Sequence, residues 1–325
     1  MRSPSARTAL TRGAARLTVR DLDVLLERFA DHAIGVLDHS PLTVRNYRYA
    51  YRIFRRYLLD PALATTPADR MFQMNAWLAW NRKRGIARYT LNMYWRSLRA
   101  FFKFLEEAEG IPNPFRGLSA PGLPERSPKG IDRDALRHIL RAARTYPWSS
   151  KFLRERAVAI LATLMYTGLR KRELLSLLDL TKGPLSEDAS VVDLKSGWIR
   201  VIGKGRHGGK ERHLALPDEL LPILRSYVAE RDKQGFASEA FFPSREGTPL
   251  SDVQFRRLIT TVRNASGVNF SAHVLRHSFI SLFHLDGTPL GVVQAAAGHA
   301  RIETTAGYLT VRPEDVKRHT AKFRL

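Results

Sequence analysis

Five prolines in one short stretch, Pro112, Pro114, Pro121, Pro124 and Pro128, interspersed with Gly117 and Gly122, divide this chain more firmly than any other feature. Proline fixes one backbone angle and removes an amide donor, so such a segment sustains neither helix nor sheet and serves as a stiff connector. A chain of 325 residues can build two cores. The reading is therefore a linker at 112–130 between a helical domain at 17–111 and a second domain at 131–325. Residues 1–16, small and basic without periodicity, read as a flexible tail.

In the first block, Ser40-Pro41 has the form of an N-cap followed by proline at the first helical position. Val44, Tyr47, Tyr51, Phe54 and Leu58 then recur at helical spacing and mark a buried stripe, while Arg45, Arg48, Arg52, Arg55 and Arg56 fall off it. A second helix runs from Thr90 to Gly110 around Leu91, Trp95, Leu98, Phe102 and Leu105, with Arg96, Arg99 and Lys103 on its other faces. Few acidic residues stand near these arginines in sequence. Trp77, Trp80, Tyr94, Trp95, Phe101 and Phe102 read as core rather than as base-stacking platforms.

Charge then bears on the partner. Lysine and arginine number 53 against 31 acidic residues, a formal net charge of +22. That surplus favours a polyanion, through phosphate neutralisation and counterion release. Arg45, Arg48, Arg52, Arg96, Arg99 and Lys103, with Arg206 further on, are the candidate DNA contacts. No run of eighteen apolar residues is present, so no membrane insertion is expected. Without cysteine, disulfides, thiol chemistry and cysteine-bound zinc are excluded, which fits a cytoplasmic, nucleoid-associated protein.

The second block opens with helical patterns at Asp132–Ala143 and Phe152–Thr167, the latter apolar almost throughout and therefore central. Gly168 is a natural stop, and the next helix contains Arg170, Glu173, Leu174 and Leu177. Segments 191–194, 198–202 and 212–216 alternate well enough for a small antiparallel sheet, the last two joined by a glycine-rich cationic hairpin. Helices follow at 218–233, 251–265, 272–285 and 289–297, then a short one around Thr304–Tyr308 and a terminal one from Pro313.

Within this block His273, Arg276 and His277 sit within about one helical turn, Gly298-His299 follows, and Tyr308 comes nine positions after His299. Arginine and protonated histidine bind the oxygens of a phosphodiester, and a tyrosine hydroxyl can attack phosphorus to form a covalent ester. No carboxylate cluster suited to two metals and no phosphate-binding G-x-x-x-x-G-K-[ST] loop is visible. Neither metal nor other cofactor is expected.

These motifs taken together resemble the tyrosine recombinase (phage integrase) family. Thr167-Gly168-Leu169-Arg170-Lys171-Arg172-Glu173-Leu174 looks like its first arginine box, His273-Val274-Leu275-Arg276-His277 its second, and Gly298-His299 with Tyr308 its third. Ile202-Gly203-Lys204-Gly205 is similar to the hairpin that carries the family's lysine. The resemblance runs from about Asp132 to Leu325, and the first domain is similar to the family's helical, SAM-like core-binding domain. It implies a mainly α fold whose catalytic domain is mostly helical with a small three-stranded antiparallel sheet. Ala297, where the family usually has leucine, and the extra His207-Gly208-Gly209 in the hairpin depart from the pattern.

The resemblance also implies roles. Tyr308 would be the nucleophile, Arg170 and Arg276 the clamps on the non-bridging oxygens, and His299 a hydrogen-bond donor to them. His273 would bond the phosphate or assist proton transfer, and Lys204, in preference to Lys210, would protonate the departing oxygen. Glu173 would support a catalytic side chain, and His277 would pack or cap. The expected partner is double-stranded DNA with inverted-repeat sites, bound by a homotetramer spanning two sites with a dimer on each. A sister recombinase or accessory factor is left open, as is the docking of the terminal helix in cis or in trans. The rival readings are a type IB-like topoisomerase and a catalytically inactive DNA-binding architectural protein.

Overall fold

Local signals place most helix boundaries in the computed structural model, which describes residues 17–123, 130–183, 185–203 and 211–298. The chain divides into two compact units, Met1–Glu125 and Arg126–Leu325, each with its own apolar core. The expected tail at 1–16, linker residues 124–129, the hairpin residues Lys204, Arg206 and Lys210, and everything from His299 onward lie outside the described residues.

The first unit contains α1 (Val19–Gly35), α2 (Pro41–Leu58), α3 (Pro67–Arg70), α4 (Met74–Lys83) and α5 (Arg88–Glu109). Thr18 and Asp21 close a reciprocal capping box on α1, and Ser40 caps α2 ahead of Pro41. The core is aromatic: Phe54 meets Trp77 and Phe102 edge-on, and Trp95 meets Phe115 with ring centroids 4.7 Å apart. Of the predicted α2 stripe, Val44, Tyr51, Phe54 and Leu58 are buried, with Tyr47 partly so. Arg45, Arg48, Arg52, Arg55 and Arg56 are exposed, as are Arg96, Arg99 and Lys103 of α5.

The expectation of few compensating acids near these arginines needs correction. Arg48 donates to Glu27 (Nη2–Oε2 2.6 Å) and Arg55 to Asp23 (Nε–Oδ1 3.0 Å), both carboxylates belonging to α1. The partners lie 21 and 32 residues away in sequence, and only the packing of α1 on α2 brings them close. Lys103 also has Glu107 one turn on, at 3.5 Å.

The second unit contains α6 (Arg133–Thr145), α7 (Lys151–Thr167), α8 (Lys171–Leu175), α9 (Leu221–Asp232), α10 (Asp252–Ser266), α11 (Ala272–Leu285) and α12 (Leu290–Ala297). Residues from Ala157 to Leu164 are all buried, so α7 is the central helix, with α6, α9 and α11 packed around it. Helix α8 is shorter than its pattern suggested. Arg170 stands before it in extended backbone at the N-cap position, and Leu177 lies beyond its end. The turn stops because strand β1 (Leu178–Asp179) begins three residues later.

The sheet corrects the three-stranded antiparallel expectation. Strands β2 (Val191–Asp193), β3 (Trp198–Ile202) and β4 (Glu211–Ala215) pair antiparallel as read, but β1 adds a fourth strand, parallel to β2. A two-residue strand carries no alternation to read. It is held instead by tertiary contacts: Asp179 forms a buried ion pair with Arg231 of α9. In β3 and β4, Ile199 lies opposite Leu214 and Val201 opposite Arg212. Ile199, Val201 and Leu214 are buried, which puts Arg212 on the inward face.

No helix among the described residues is long and apolar enough to cross a membrane.

Candidate active site

Three helix ends make this site. The first is the stop of α7, where Gly168 takes a left-handed conformation (φ 61°). A Cβ at Gly168 would fall 2.3 Å from Cδ1 of Phe279, so both the backbone angle and the close approach of α11 require glycine. The turn delivers Arg170 to the start of α8. There the Glu173 carboxylate accepts the backbone N–H of Arg170 (2.8 Å) and its Nη1 (2.8 Å), satisfying an orphan amide of the helix start and fixing the guanidinium together.

The second end is the C-terminus of α12, where Gly298 also turns left-handed (φ 63°). The last carbonyls of a helix have no partner within it and carry the negative end of its dipole. Here three consecutive carbonyls are each taken by a different arginine. Arg212 donates from Nε to Ala296 (3.1 Å), Arg276 from Nη2 to Ala297, and Arg170 from Nη2 to Gly298 (3.2 Å). Arg276, 2% exposed, also donates to the carbonyl of Gly168 (2.6 Å) and so ties the two helix ends together. Arg170, with 44% of its side chain exposed, is the arginine that faces solvent.

The third end is the start of α11, capped by Ser271. One turn in, His273 and His277 meet at i and i+4, with Nε2 atoms 2.9 Å apart. In that contact one nitrogen donates and the other accepts, so the two imidazoles cannot both be cations. Burial, followed by the charges of Arg276 and Arg170, pushes the pKa of His273 below the ordinary histidine value. His273 is thus neutral near pH 7, able to accept a proton from a nucleophile or to pass on a hydrogen bond.

Glu173 holds the arginines from beneath. Burial works to raise its pKa, but hydrogen bonds and charge from Arg212, then bonds from Arg170, outweigh it and keep the carboxyl below its usual range. The group is therefore a carboxylate surrounded by guanidinium.

The structure thus brings together Arg170, Glu173, His273 and Arg276 from segments more than a hundred residues apart. Lys204, Arg206, His299 and Tyr308 lie outside the described residues, though position 299 directly follows the three-arginine cluster. Arg212 was missed by the sequence reading. The signal existed: on β4 it lies two positions before Leu214 and so on the same face, and an arginine at an inward register position needs a buried acceptor.

Comparison with known proteins follows the same division of the chain. The Phage integrase family model matches residues 129–315, and the model of the Phage integrase N-terminal SAM-like domain matches residues 26–109. Tyrosine recombinase XerD of Proteus mirabilis is 30% identical over 307 residues, covering 91% of each chain. Tyrosine recombinase XerC of Escherichia coli O1:K1 is 28% identical over 291 residues, covering 89% of this chain and 92% of its own. Among solved structures, XerH recombinase bound to palindromic difH substrate shares the fold at a TM-score of 0.66 and 19% identity, over 91% of this chain and 83% of its own. A lambda integrase dimer on a core site does so at a TM-score of 0.63 and 20% identity, over 90% and 96%.

Proposed function

Since the chain belongs to the phage integrase family and its relatives are tyrosine recombinases of the Xer type, we propose that it is a site-specific DNA recombinase acting through a phosphotyrosyl intermediate. The observation that carries this reading is that Arg170 and Arg276 both donate to the carbonyls of the segment preceding His299, with His273 close enough to feel both charges. Structural neighbours captured on DNA, XerH on its difH substrate and lambda integrase on a core site, support duplex DNA as the partner.

In the proposed reaction the Tyr308 hydroxyl attacks the scissile phosphorus. The Oη–P bond forms, the bond from phosphorus to the 5′-oxygen breaks, and a 3′-phosphotyrosyl ester and a free 5′-hydroxyl result. Neutral His273 assists departure of the tyrosine proton, and Lys204 supplies one to the leaving 5′-oxygen. Charge accumulating on the non-bridging oxygens meets Arg170 and Arg276, whose hydrogen bonds already hold them in place, and His299 adds a further donor. Because the phosphodiester bond energy is kept in the ester, attack by a 5′-hydroxyl from a second duplex rejoins strands without ATP. Two rounds of exchange pass through a Holliday junction.

The proposal extends to assembly and organisation. A homotetramer holds two inverted-repeat sites with a dimer on each, alone or with a sister recombinase or accessory factor. Residues 17–111 form the core-binding domain, joined by the linker at 112–130 to the catalytic domain at 131–325. Arg45, Arg48, Arg52, Arg96, Arg99 and Lys103 contribute to DNA binding.

The test is to trap the ester. The protein is mixed, in EDTA, with nicked duplexes built from inverted repeats near its own gene, and adducts are sought on denaturing gels beside Tyr308→Phe. An adduct that requires Tyr308 and forms only on particular repeats supports the recombinase. Relaxation of supercoiled plasmid irrespective of sequence would replace it by a topoisomerase. Binding without adduct or relaxation would leave a DNA-binding protein without strand chemistry.

A further inference from the structure

Arg212 does more than occupy an odd register position. Its guanidinium meets Glu173 as a two-pronged pair, Nη2 to Oε2 at 2.7 Å and Nη1 to Oε1 at 3.2 Å, while Nε reaches the Ala296 carbonyl. Each oxygen of Glu173 then also serves Arg170, Oε1 its Nη1 and Oε2 its backbone N–H. The carboxylate is fully subscribed. The Gly298 backbone lies directly on Arg212, since a Cβ there would sit 2.9 Å from Nη1 and 3.1 Å from Cζ. Only 10% of the Arg212 side chain and 9% of the Glu173 side chain are exposed. Each of the three guanidinium nitrogens of Arg212 is thus taken by a protein acceptor, which leaves it no fork to offer a DNA phosphate.

Stability alone does not account for this pair. Burying two charges carries a large desolvation cost, and apolar replacements of such pairs are often neutral or stabilising. What the pair provides is geometry: a rigid fork whose two prongs set the angle of the carboxylate, which in turn sets Arg170. Arg212 also stands on β4, the strand that returns from the hairpin carrying Lys204, and it reaches the carbonyl three positions before His299.

We propose that Arg212 is a positioning residue for strand cleavage, which fixes Arg170 through their shared carboxylate and holds it against the C-terminal carbonyls of α12. The role rests on the recombinase reading and adds to it a residue that touches neither DNA nor the reacting atoms. An error of about 1 Å in a group that stabilises a transition state costs about 100-fold in rate, which is the scale expected here.

The experiment measures single-turnover adduct formation by the full chain on two nicked duplexes. One carries the natural phosphodiester at the scissile position, the other an uncharged methylphosphonate. Without a charged non-bridging oxygen, the linkage depends far less on a well-placed guanidinium. Arg212→Met is expected to slow adduct formation about 100-fold on the phosphodiester, with DNA affinity within about twofold of wild type because no phosphate contact is lost. On the methylphosphonate the deficit should fall below about tenfold, with Arg170→Met showing the same contraction. Arg212→Lys, which keeps the charge but not the fork, should fall between Arg212→Met and wild type, and carries the same comparison if Arg212→Met does not fold. Equal deficits on both linkages, the signature of general structural damage, would overturn the proposal, as would wild-type rates in either variant. A wild-type protein that forms no adduct on the phosphodiester would instead sink the recombinase reading, whatever the variants do.

Discussion

Arg212 and Glu173 face each other across 39 residues of sequence as a bidentate ion pair, closed at 2.7 and 3.2 Å and nearly sealed from solvent. Two other parts of the candidate site rest on that contact. Arg170 shares its carboxylate, and Gly298 is pressed against its guanidinium.

Glu173→Gln should cost about 3–5 kcal/mol at neutral pH, because it leaves the buried Arg212 without its counter-charge. The folded carboxyl has its pKa held below the ordinary 4.5, so its contribution is present above that value and is lost as pH falls through the folded pKa. Urea titrations of wild type and variant at several pH values should therefore converge on acidification below about pH 4.5. A gap that stays constant with pH would refute ionisation as its origin.

His273 should titrate below 6.5 in the free protein, for the reasons of burial first and the Arg276 and Arg170 charges second. Histidine NMR chemical shifts against pH measure this directly. Removing the third contribution in Arg170→Met should move the midpoint upward. Protonation of His273 opposes its proposed service as proton acceptor, so the second-order rate of adduct formation at subsaturating DNA should fall on an acid limb that follows the same midpoint.

Gly168→Ala should destabilise the second unit by more than about 2 kcal/mol, combining the left-handed backbone penalty with displacement of a packed ring. A Cβ would stand 2.3 Å from Phe279 Cδ1, so thermal unfolding of Gly168→Ala in a Phe279→Ala background should show a smaller loss than in wild type. Full additivity would mean that the ring is not what the glycine accommodates.

The α2 arginines should divide by their ion pairs. Arg45 and Arg52 are exposed, whereas Arg48 is neutralised by Glu27 at 2.6 Å. If the α2 face meets phosphate, Arg45→Gln and Arg52→Gln should each reduce the slope of log K against log salt by about one. Arg48→Gln should change it less. Fluorescence anisotropy with a labelled duplex across a salt series would read all three.

Much of this architecture was legible because its determinants are local. Ser40-Pro41, Gly168 and the all-apolar run before it are read within a few residues, and helix ends at Gly110, Gly168 and Ala297 follow from them. Arg170, His273 and Arg276 were legible because helix stops and i,i+3 spacing survive in one dimension. What escaped was held by distant partners. Strand β1 is too short to alternate, Arg48 finds Glu27 only after α1 and α2 pack, and Arg212 finds Glu173 only once β4 has its register. Arg170 was placed inside a helix when it is the residue before it, because Glu173 answers its amide by a side-chain bond that no periodicity reveals.

The carbonyls of residues 296–298 have one further consequence. Arg170, Arg212 and Arg276 repel one another when crowded together, and the single charge of Glu173, shared by Arg170 and Arg212, would by itself leave the cluster to splay into solvent. Helix α12 prevents this by offering its negative end as a resident anion, one oxygen to each guanidinium. The cations are thus gathered before any nucleic acid arrives. If this cluster takes the scissile phosphate as proposed, its ordering entropy was spent during folding, and more of the binding free energy is left for distorting the phosphate toward reaction.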